Sequence, residues 1–382
     1  MKKFSKILIV LLLLASNAHA DDLQEGLKAL ERGDYKTAFE KWQRLAREGN
    51  SIAQFNLGLM YDKGDGVRQS FPKAVKWYRK AAKQENAGAQ FNLGLMYYKG
   101  EGVAVDYKKA FKWFLYSARQ GNVGAQFNLG WMFDKGEGVA PNYKRAIKWY
   151  RLAAKKGNVA AQYNLGLIYD KGESVSRDFQ KALKLYLKAG EGGHADAQFK
   201  LAQIYDKGID HKRSITKCIK WYKLSAKQGK IESQLKLARF YEKGVGIEKN
   251  SQYAVRWYEQ AARKGSLEAQ LHLGMIFTDG SRVKKDYARA AHWFKKAARR
   301  GNAKAQFNLG LLYENGDGTP RNLKKAAKWY LMAAEQDHFR AQESLGWMYV
   351  NGLGVEEDLD EAEKWYKRSE SLGKYTKKSK LN

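Results

Sequence analysis

Residues 53–86 read AQFNLGLMYDKGDGVRQSFPKAVKWYRKAAKQEN, and residues 89–122 restate the pattern as AQFNLGLMYYKGEGVAVDYKKAFKWFLYSARQGN. The pattern recurs with a period of 36 residues in nine repeats. A fixed period of this length indicates a solenoid, in which each repeat buries its apolar face against its neighbours. We therefore expect one continuous array whose extended surface favours a binding role. The nine repeats, numbered 1 to 9 below, begin at Ser51, Ala87, Val123, Val159, Ala195, Ile231, Leu267, Ala303 and Phe339.

The spacing within each repeat, numbered here as positions 1 to 36, predicts a pair of helices. Position 3 is small, position 7 is Leu, and positions 10 and 11 are large and apolar, which marks one face of a helix. Position 14 is always Gly, as expected for a left-handed residue that ends the first helix. Position 8 is Gly in seven repeats. Because glycine costs about 1 kcal/mol in a helix interior, we expect another backbone to pass close to it.

The second helix is predicted to pack through small and aromatic residues. Position 24 is Ala in every repeat except repeat 5, where it is Cys218, and position 27 is Trp in every repeat except repeat 4, where it is Leu185. The repeat as a whole resembles the Sel1-like repeat, from Asp34 to about Lys374. That resemblance implies an all-α protein, an α/α solenoid (superhelix) of about ten Sel1-like helical hairpins. It also implies a relationship to tetratricopeptide arrays, whose first helices line a concave surface.

The N-terminal segment predicts export. Three lysines among the first six residues precede an apolar run from Ile7 to Ala15, and residues 18–20, Ala-His-Ala, match the small residues that precede a signal cleavage site. The run is too short to span a bilayer, which needs about 20 residues in a helix. We therefore predict a secreted or periplasmic protein with no transmembrane segment. The expected organisation is a cleaved signal peptide at 1–20, a capping partial repeat at 21–50, the nine repeats at 51–374 and a loose basic tail at 375–382.

A second face of the first helix is the candidate ligand surface. Positions 2, 6 and 9 share this face, and position 6 is Asn in five repeats. A side-chain amide can donate to a peptide carbonyl and accept from a peptide N–H, so the row resembles the asparagine ladder of peptide-binding tetratricopeptide superhelices. The alternative is that each Asn bonds the backbone of a neighbouring repeat. The predicted peptide-binding residues are Asn56, Asn92, Asn128, Asn164 and Asn308, the basic section Lys200, Lys236, Arg239 and His272, suited to a carboxylate, and the apolar Trp131 and Trp347.

Basic residues on the second helix suggest another surface. The net charge is +30, and loss of the three signal lysines would leave +27. Position 26 is basic in every repeat and lies away from the Ala-Trp face, forming a convex ridge that is either solvated or binds an anionic envelope polymer or the cell wall. A nucleic-acid partner would fit the positive charge but not the predicted export, so we predict no nucleic-acid partner. The ridge residues proposed to bind polyanions are Lys76, Lys112, Lys148, Lys184, Lys220, Arg256, Lys328 and Lys364.

Catalysis has weaker support in the sequence. Ser-x-x-Lys, a motif of penicillin-binding proteins, occurs at Ser70, Ser214 and Ser281 among other places. However, S-D-N and K-T-G are absent, and each of these three serines falls where a helix cap is expected. Scattered histidines and a single cysteine predict no metal and no cofactor. The predicted function is a non-catalytic exported scaffold that binds a protein or peptide in the envelope or host. The alternative is a polyanion or cell-wall binder, and a β-lactamase-like hydrolase is a distant third.

Overall fold

A computed structural model describes residues 21–172, 175–208 and 213–378, without the side chains of 372–378. The predicted signal peptide lies outside these ranges. All regular secondary structure within the described ranges is α-helical. Each of the nine repeats is a helical hairpin, as predicted.

The helices follow the repeat register. An N-terminal pair, α1 at residues 21–31 and α2 at Tyr35–Arg47, precedes the repeats. The first helices of the repeats are α3 (Ser51–Lys63), α5 (Ala87–Lys99), α7 (Val123–Lys135), α9 (Val159–Lys171), α11 (Ala195–Lys207), α13 (Ile231–Lys243), α15 (Leu267–Asp279), α17 (Ala303–Asn315) and α19 (Phe339–Val350). The second helices are α4 (Phe71–Lys83), α6 (Tyr107–Arg119), α8 (Tyr143–Lys155), α10 (Phe179–Glu191), α12 (Ile215–Lys227), α14 (Ser251–Arg263), α16 (Tyr287–Ala298), α18 (Leu323–Ala334) and α20 (Leu359–Lys378).

Caps at fixed positions set the helix ends. Position 36 caps the first helix of the following repeat: the Asn86 side chain, for example, accepts the Ala89 N–H of α5 at 2.9 Å. Position 20 caps the second helix, as where Asp106 accepts the Lys109 N–H at 2.9 Å. Gly100 at position 14 ends α5 with φ of 77°, in the left-handed region that glycine adopts without strain. The prediction of a helix-ending glycine at position 14 is thus confirmed.

The chain divides into two units, the first ending at Ala197 and the second beginning at Gln198. Within each unit, a first helix packs on the second helix of its own repeat and on that of the preceding repeat. The core of each unit consists of the predicted positions: buried alanines, the Leu of position 7 and the aromatic residue of position 28. The core is therefore a chain of interfaces between adjacent helices.

Glycine at position 8 makes room for an aromatic ring, not for a backbone. A Cβ added to Gly130 would lie 2.5 Å from the Tyr150 ring, and one added to Gly274 would lie 2.4 Å from the Phe294 ring. Both rings belong to position 28 of the same repeat and are almost fully buried. The expectation of a close backbone is wrong because the atoms nearest to such a Cβ are those of the ring.

The two ends of the array depart from the repeat pattern. In the N-terminal hairpin, the fully buried Trp42 takes the place of the position 28 ring, and Gly26 makes room for its indole. At the other end, α20 continues through Lys378, four residues past the predicted end of the ninth repeat. The first part of the predicted loose tail is therefore helical, and residues 379–382 lie outside the described residues.

Candidate peptide-binding face

Position 28 of each repeat controls the polar chemistry of the first-helix face. It is Tyr in seven repeats and Phe in two. A buried phenol needs a hydrogen-bond partner, and position 12 of the same repeat supplies a carboxylate. Tyr78 donates to Asp62 at 3.1 Å, and Tyr258 donates to Glu242 at 3.0 Å. Tyr186 pairs with Asp170 and Tyr330 with Glu314 in the same way.

The sequence carries a matching signal that our sequence analysis missed. Position 12 is acidic in six repeats, and all six have Tyr at position 28. The two repeats with Phe at position 28, Phe114 and Phe294, have the non-acidic Tyr98 and Thr278 at position 12. Where the ring has no hydroxyl, a half-buried carboxylate would have lacked its donor. The acid and the hydroxyl therefore occur together.

Tyrosine is protonated at neutral pH, and burial raises the pKa of these phenols further. Burial raises the pKa of Tyr78, with a smaller contribution from the charge of Asp62. Burial also raises the pKa of Tyr98 to about 12, and its hydrogen bond to Glu137 is the second cause of this rise. At neutral pH each hydroxyl is therefore a donor, and the network consists of structural hydrogen bonds without a group poised to transfer protons.

The predicted asparagine row meets this network from the following repeat. Asn164 donates its amide to the Tyr150 hydroxyl at 3.3 Å, and Asn92 bonds the Tyr78 hydroxyl. Asn308 follows a Phe repeat and donates instead to the Lys304 carbonyl of its own helix, at 2.7 Å. These asparagines therefore make contacts inside the protein. The alternative predicted contacts with the backbone of a neighbouring repeat, whereas Asn92 and Asn164 contact a tyrosine side chain of the neighbouring repeat and Asn308 contacts the backbone of its own helix.

The remaining two asparagines differ from each other. Asn56 is buried, with 9% of its surface exposed, and its side-chain NH₂ has no hydrogen-bond partner within the described residues. Asn128 is half-buried and follows Phe114, which has no hydroxyl to offer. Within the described part of the chain, no hydrogen bond engages the Asn128 amide. Asn128 is thus the member of the row best placed to pair with an external backbone.

The predicted basic section is interleaved with carboxylates. Lys236 lies 3.7 Å from Asp206, and His272 lies 3.2 Å from Glu242. Arg239 pairs with Glu268 and Lys200 is half-buried. The section therefore combines both signs of charge, and its role in binding stays a prediction.

Apolar residues at position 9 differ along the array. Trp131 is half-buried, with the Lys135 ammonium 5.1 Å from its ring centroid. In the second unit, Trp347 is 46% exposed and Met275 is 50% exposed. Contiguous apolar patches mark contact surfaces, whereas single exposed side chains are ordinary, so the role of these residues in binding stays a prediction.

A second row of amides, absent from our predictions, joins the repeats. Position 4 is Gln in all nine repeats, and its side chain is buried. Gln90 donates to the Ala82 carbonyl of the preceding repeat at 3.2 Å, and Gln270 donates to the Ala262 carbonyl at 3.0 Å. The signal was available, since an invariant polar residue among core positions of a helix has to be hydrogen-bonded.

The residue at position 34 makes a second hydrogen bond at this contact between repeats, and the acceptor depends on the residue type. Where it is Gln, its amide donates to the position 4 amide of its own repeat, as Gln120 does to Gln90 at 2.9 Å. Where it is cationic, it instead reaches the carbonyl of the glycine at position 35 of the preceding repeat. Lys156 donates to Gly121 at 2.7 Å in this way. The position 4 carbonyl oxygen then stays unpaired within the described residues, as at Gln126.

The ridge residues of position 26 are all exposed, from Lys76 to Lys364. In the second unit one of them lines a cavity of about 640 Å³ between α14, the end of α15 and the start of α16. Five cations and two carboxylates line it. The charged residues are Arg256, Arg282, Lys284, Lys285, Arg289, Glu259 and Asp286.

Candidate catalytic groups have structural roles. Ser214 caps α12 by accepting the Lys217 N–H, and the Lys217 ammonium lies 5.2 Å from the Tyr205 ring centroid. Ser70 occupies a cap position without a side-chain cap bond, and Ser281 bonds Asp279 in the loop before α16. None of these geometries pairs a serine hydroxyl with the lysine of its own motif in the described hydrogen bonds.

The single thiol is buried as well. Cys218 takes the alanine position of α12, and burial raises its pKa to about 12. Among the described residues, no cluster of three or more His, Cys, Asp or Glu side chains could hold a metal ion.

Nine consecutive segments match the family model of the Sel1 repeat. They are residues 51–86, 87–122, 123–158, 159–194, 195–230, 231–266, 267–302, 303–338 and 340–374. The chain belongs to the Sel1 repeat family. The predicted resemblance and the solenoid fold class are thereby confirmed.

Two solved structures are similar over long stretches. One is c5321, a protective antigen of uropathogenic Escherichia coli strains with an SLR fold. It is 35% identical with a TM-score of 0.64, over 93% of this chain and 77% of that one. The other, a Sel1 repeat protein from Oxalobacter formigenes, is 34% identical with a TM-score of 0.60, over 63% of this chain and 99% of that one. Among curated proteins none matches this chain.

Membership in this family indicates the general class of function. Sel1-repeat proteins generally mediate protein–protein interaction, and their solenoid is typically a non-catalytic scaffold. In the described part of this chain, no helix is both long enough and apolar enough to cross a membrane.

Proposed function

We propose that this Sel1-repeat protein is an exported, non-catalytic scaffold that holds an extended segment of a partner protein along its first-helix face. The N-terminal lysines, apolar run and Ala-His-Ala sequence support export to the periplasm or beyond. The Escherichia coli relative is described as a protective antigen. The partner is therefore a protein of the envelope or of the host.

One observation carries the choice of face: Asn128 and Trp131, one helical turn apart on α7, combine an amide without an internal partner and a large apolar surface. Residues three apart on a helix are neighbours, so both can touch one ligand segment. The amide can pair with a ligand's backbone and the indole can cover its side chain. The neighbouring asparagines serve the internal network, which makes repeat 3 the centre of the proposed contact.

The test compares two asparagines of the same row. Native envelopes containing the wild type, Asn128→Ala or Asn164→Ala are crosslinked, and captured partners are identified by mass spectrometry. We expect Asn128→Ala to lower capture several-fold at unchanged helicity. Asn164→Ala, the matched control, removes the bond to Tyr150 and should lower stability by about 1 kcal/mol with capture retained. Equal capture by the wild type and Asn128→Ala would remove this face from consideration.

A second candidate function is favoured by the cavity beside Arg256. Its five cations exceed its two carboxylates, and Arg289 is already held by Glu259 and by the Phe277 ring, 3.9 Å away. Arg256 and Lys284 have no carboxylate partner within the described residues. These two cations suit an anionic envelope polymer or cell-wall component.

Binding to a sulfated polysaccharide such as heparin, measured at increasing salt, tests this candidate. Screening should weaken binding steeply between low and physiological ionic strength. Arg256→Glu with Lys284→Glu should weaken it further, whereas Lys328→Glu, on the ridge of another repeat, should have a smaller effect. Retention that does not depend on salt would contradict the candidate.

A further inference from the structure

Repeat 4 contains a cavity at the one position where the aromatic pattern is broken. Position 27 is Trp in eight repeats and Leu185 in repeat 4. A cavity of about 320 Å³ opens beside Leu185, between the second helices α8 and α10. Leu165 and Tyr169 of α9 form its buried floor. The floor and Leu185 make most of the cavity apolar.

Cations surround the opening of this cavity. The four charged residues that line it are Arg151, Lys181, Lys184 and Lys188, and no carboxylate lines it. Lys181 pairs with Asp178, which stands outside the cavity. The Arg151 guanidinium donates to the Tyr169 hydroxyl, a neutral acceptor that leaves its charge uncompensated. Lys184 and Lys188, one turn apart and exposed, have no carboxylate within ion-pair distance among the described residues.

Repeat 2 shows the same arrangement with the tryptophan present. There Arg79 donates to the Tyr97 hydroxyl at 3.1 Å, as Arg151 does to Tyr169. The Lys109 ammonium lies 5.5 Å from the Tyr97 ring centroid, and Lys181 lies 5.0 Å from that of Tyr169. Trp113 packs against the buried core cluster of its unit. The surroundings of position 27 are thus retained in repeat 4 while the indole is missing.

We propose that the cavity beside Leu185 binds an aromatic side chain from an acidic segment of a partner protein. The guest ring would take the place that the chain's own indole takes in the other repeats, over Leu165 and Tyr169. Ammonium and guanidinium groups at the opening attract the face of an aromatic ring and also its acidic neighbours. A cavity of this size accepts one large side chain, which is how an aromatic anchor dominates a protein interface.

This second site is separate from the first-helix face. Its cations project from second helices, so one partner could occupy it whether or not the face around Asn128 binds another segment. Lys184 also belongs to the predicted polyanion ridge. The apolar floor is what distinguishes the two uses, because a purely electrostatic ridge would not depend on the residue at position 27.

The test uses the full mature chain and a fluorescently labelled pentapeptide, in which tryptophan is flanked by two acidic residues on each side. Binding is measured by fluorescence anisotropy. Leu185→Trp, which installs the residue of the other eight repeats, should weaken binding at least about tenfold while the melting temperature is kept or raised. Lys184→Glu with Lys188→Glu should weaken it to a similar extent. Lys28→Glu with Lys36→Glu makes the same change of charge at two exposed lysines of the N-terminal hairpin; it is the matched control and should bind as the wild type does.

The peptide and a competitor separate the remaining explanations. A peptide with alanine in place of tryptophan should bind at least about tenfold more weakly. Unchanged affinity of Leu185→Trp, or equal affinity for the two peptides, would overturn the proposal and leave only charge attraction. Preferential binding of adenosine triphosphate over the peptide would also overturn it, by assigning the cavity to a nucleotide. Circular dichroism verifies folding, and the comparison of the two peptides on the wild type keeps the test decisive if Leu185→Trp misfolds.

Discussion

The hydrogen bonds of the position 4 glutamines predict that the same substitution changes the free energy of unfolding by different amounts in two repeats. Gln90→Met removes two hydrogen bonds: the one to Ala82, at 3.2 Å, and the one accepted from Gln120, at 2.9 Å. Gln270→Met removes only the bond to Ala262, at 3.0 Å. It also removes a buried carbonyl oxygen that has no partner within the described residues. Methionine keeps the side chain's length and its packing.

The magnitudes follow from counting these groups. Each hydrogen bond contributes about 1 kcal/mol net, and burying an unpaired polar group costs about 1–3 kcal/mol. Gln90→Met should therefore lower the free energy of unfolding by about 2 kcal/mol. For Gln270→Met, the free energy lost with the hydrogen bond is nearly offset by the gain from removing the unpaired side-chain carbonyl. We therefore expect a change in the free energy of unfolding close to zero. The Ala82 and Ala262 carbonyls each keep a backbone donor, so neither substitution leaves an orphaned acceptor.

Urea unfolding followed by circular dichroism measures both variants, and hydrogen exchange assigns the loss to a repeat. Solenoids unfold as coupled neighbouring units, so the exchange data show whether α4 and α5 open first in Gln90→Met. Equal destabilisation of the two variants would refute the reasoning. That result would mean that the second bond to Gln90 contributes nothing, or that the Gln270 carbonyl is paired in solution.

Two further predictions concern charged groups. Burial lowers the pKa of His338, whose neutral ring caps α19, so the unfolded protein binds a proton at this residue more readily than the folded protein does. Stability should therefore be complete above about pH 6.5 and fall below it. Melting curves of His338→Asn should lose this pH dependence. Lys200→Glu with Lys236→Glu should weaken partner capture more than the same reversal at Lys76 and Lys112 on the ridge. Equal losses in a pull-down would exclude the basic section as a site.

The repeat register carried most of the fold prediction. Apolar periodicity, the position 14 glycines and the capping residues specify where each helix begins and ends, because those features act within a few residues of the chain. The continuation of α20 past Tyr375 was not predicted, since the basic composition of the tail suggested a loose segment.

Contacts between helices were harder to predict. Gly130 signals a close approach, but only the structure shows that the Tyr150 ring is what approaches. The amide of Asn164 has the same chemistry as that of Asn128, and what distinguishes them is the residue at position 28 of the repeat before. A pattern that compares positions across repeats, such as Asp62 with Tyr78, contains this information, whereas a pattern read within one helix does not.

Because the position 4 glutamine reaches a main-chain carbonyl, its bond does not depend on which side chains the preceding repeat carries. A hairpin with this glutamine can form the bond with any hairpin that precedes it, so this bond does not restrict the order or the number of the repeats. A hairpin of the Leu185 type would carry the apolar floor and the α10 lysines of its cavity with it, whereas Arg151 belongs to the repeat before. Its position in the array would therefore decide how much of the cavity's positive charge is kept.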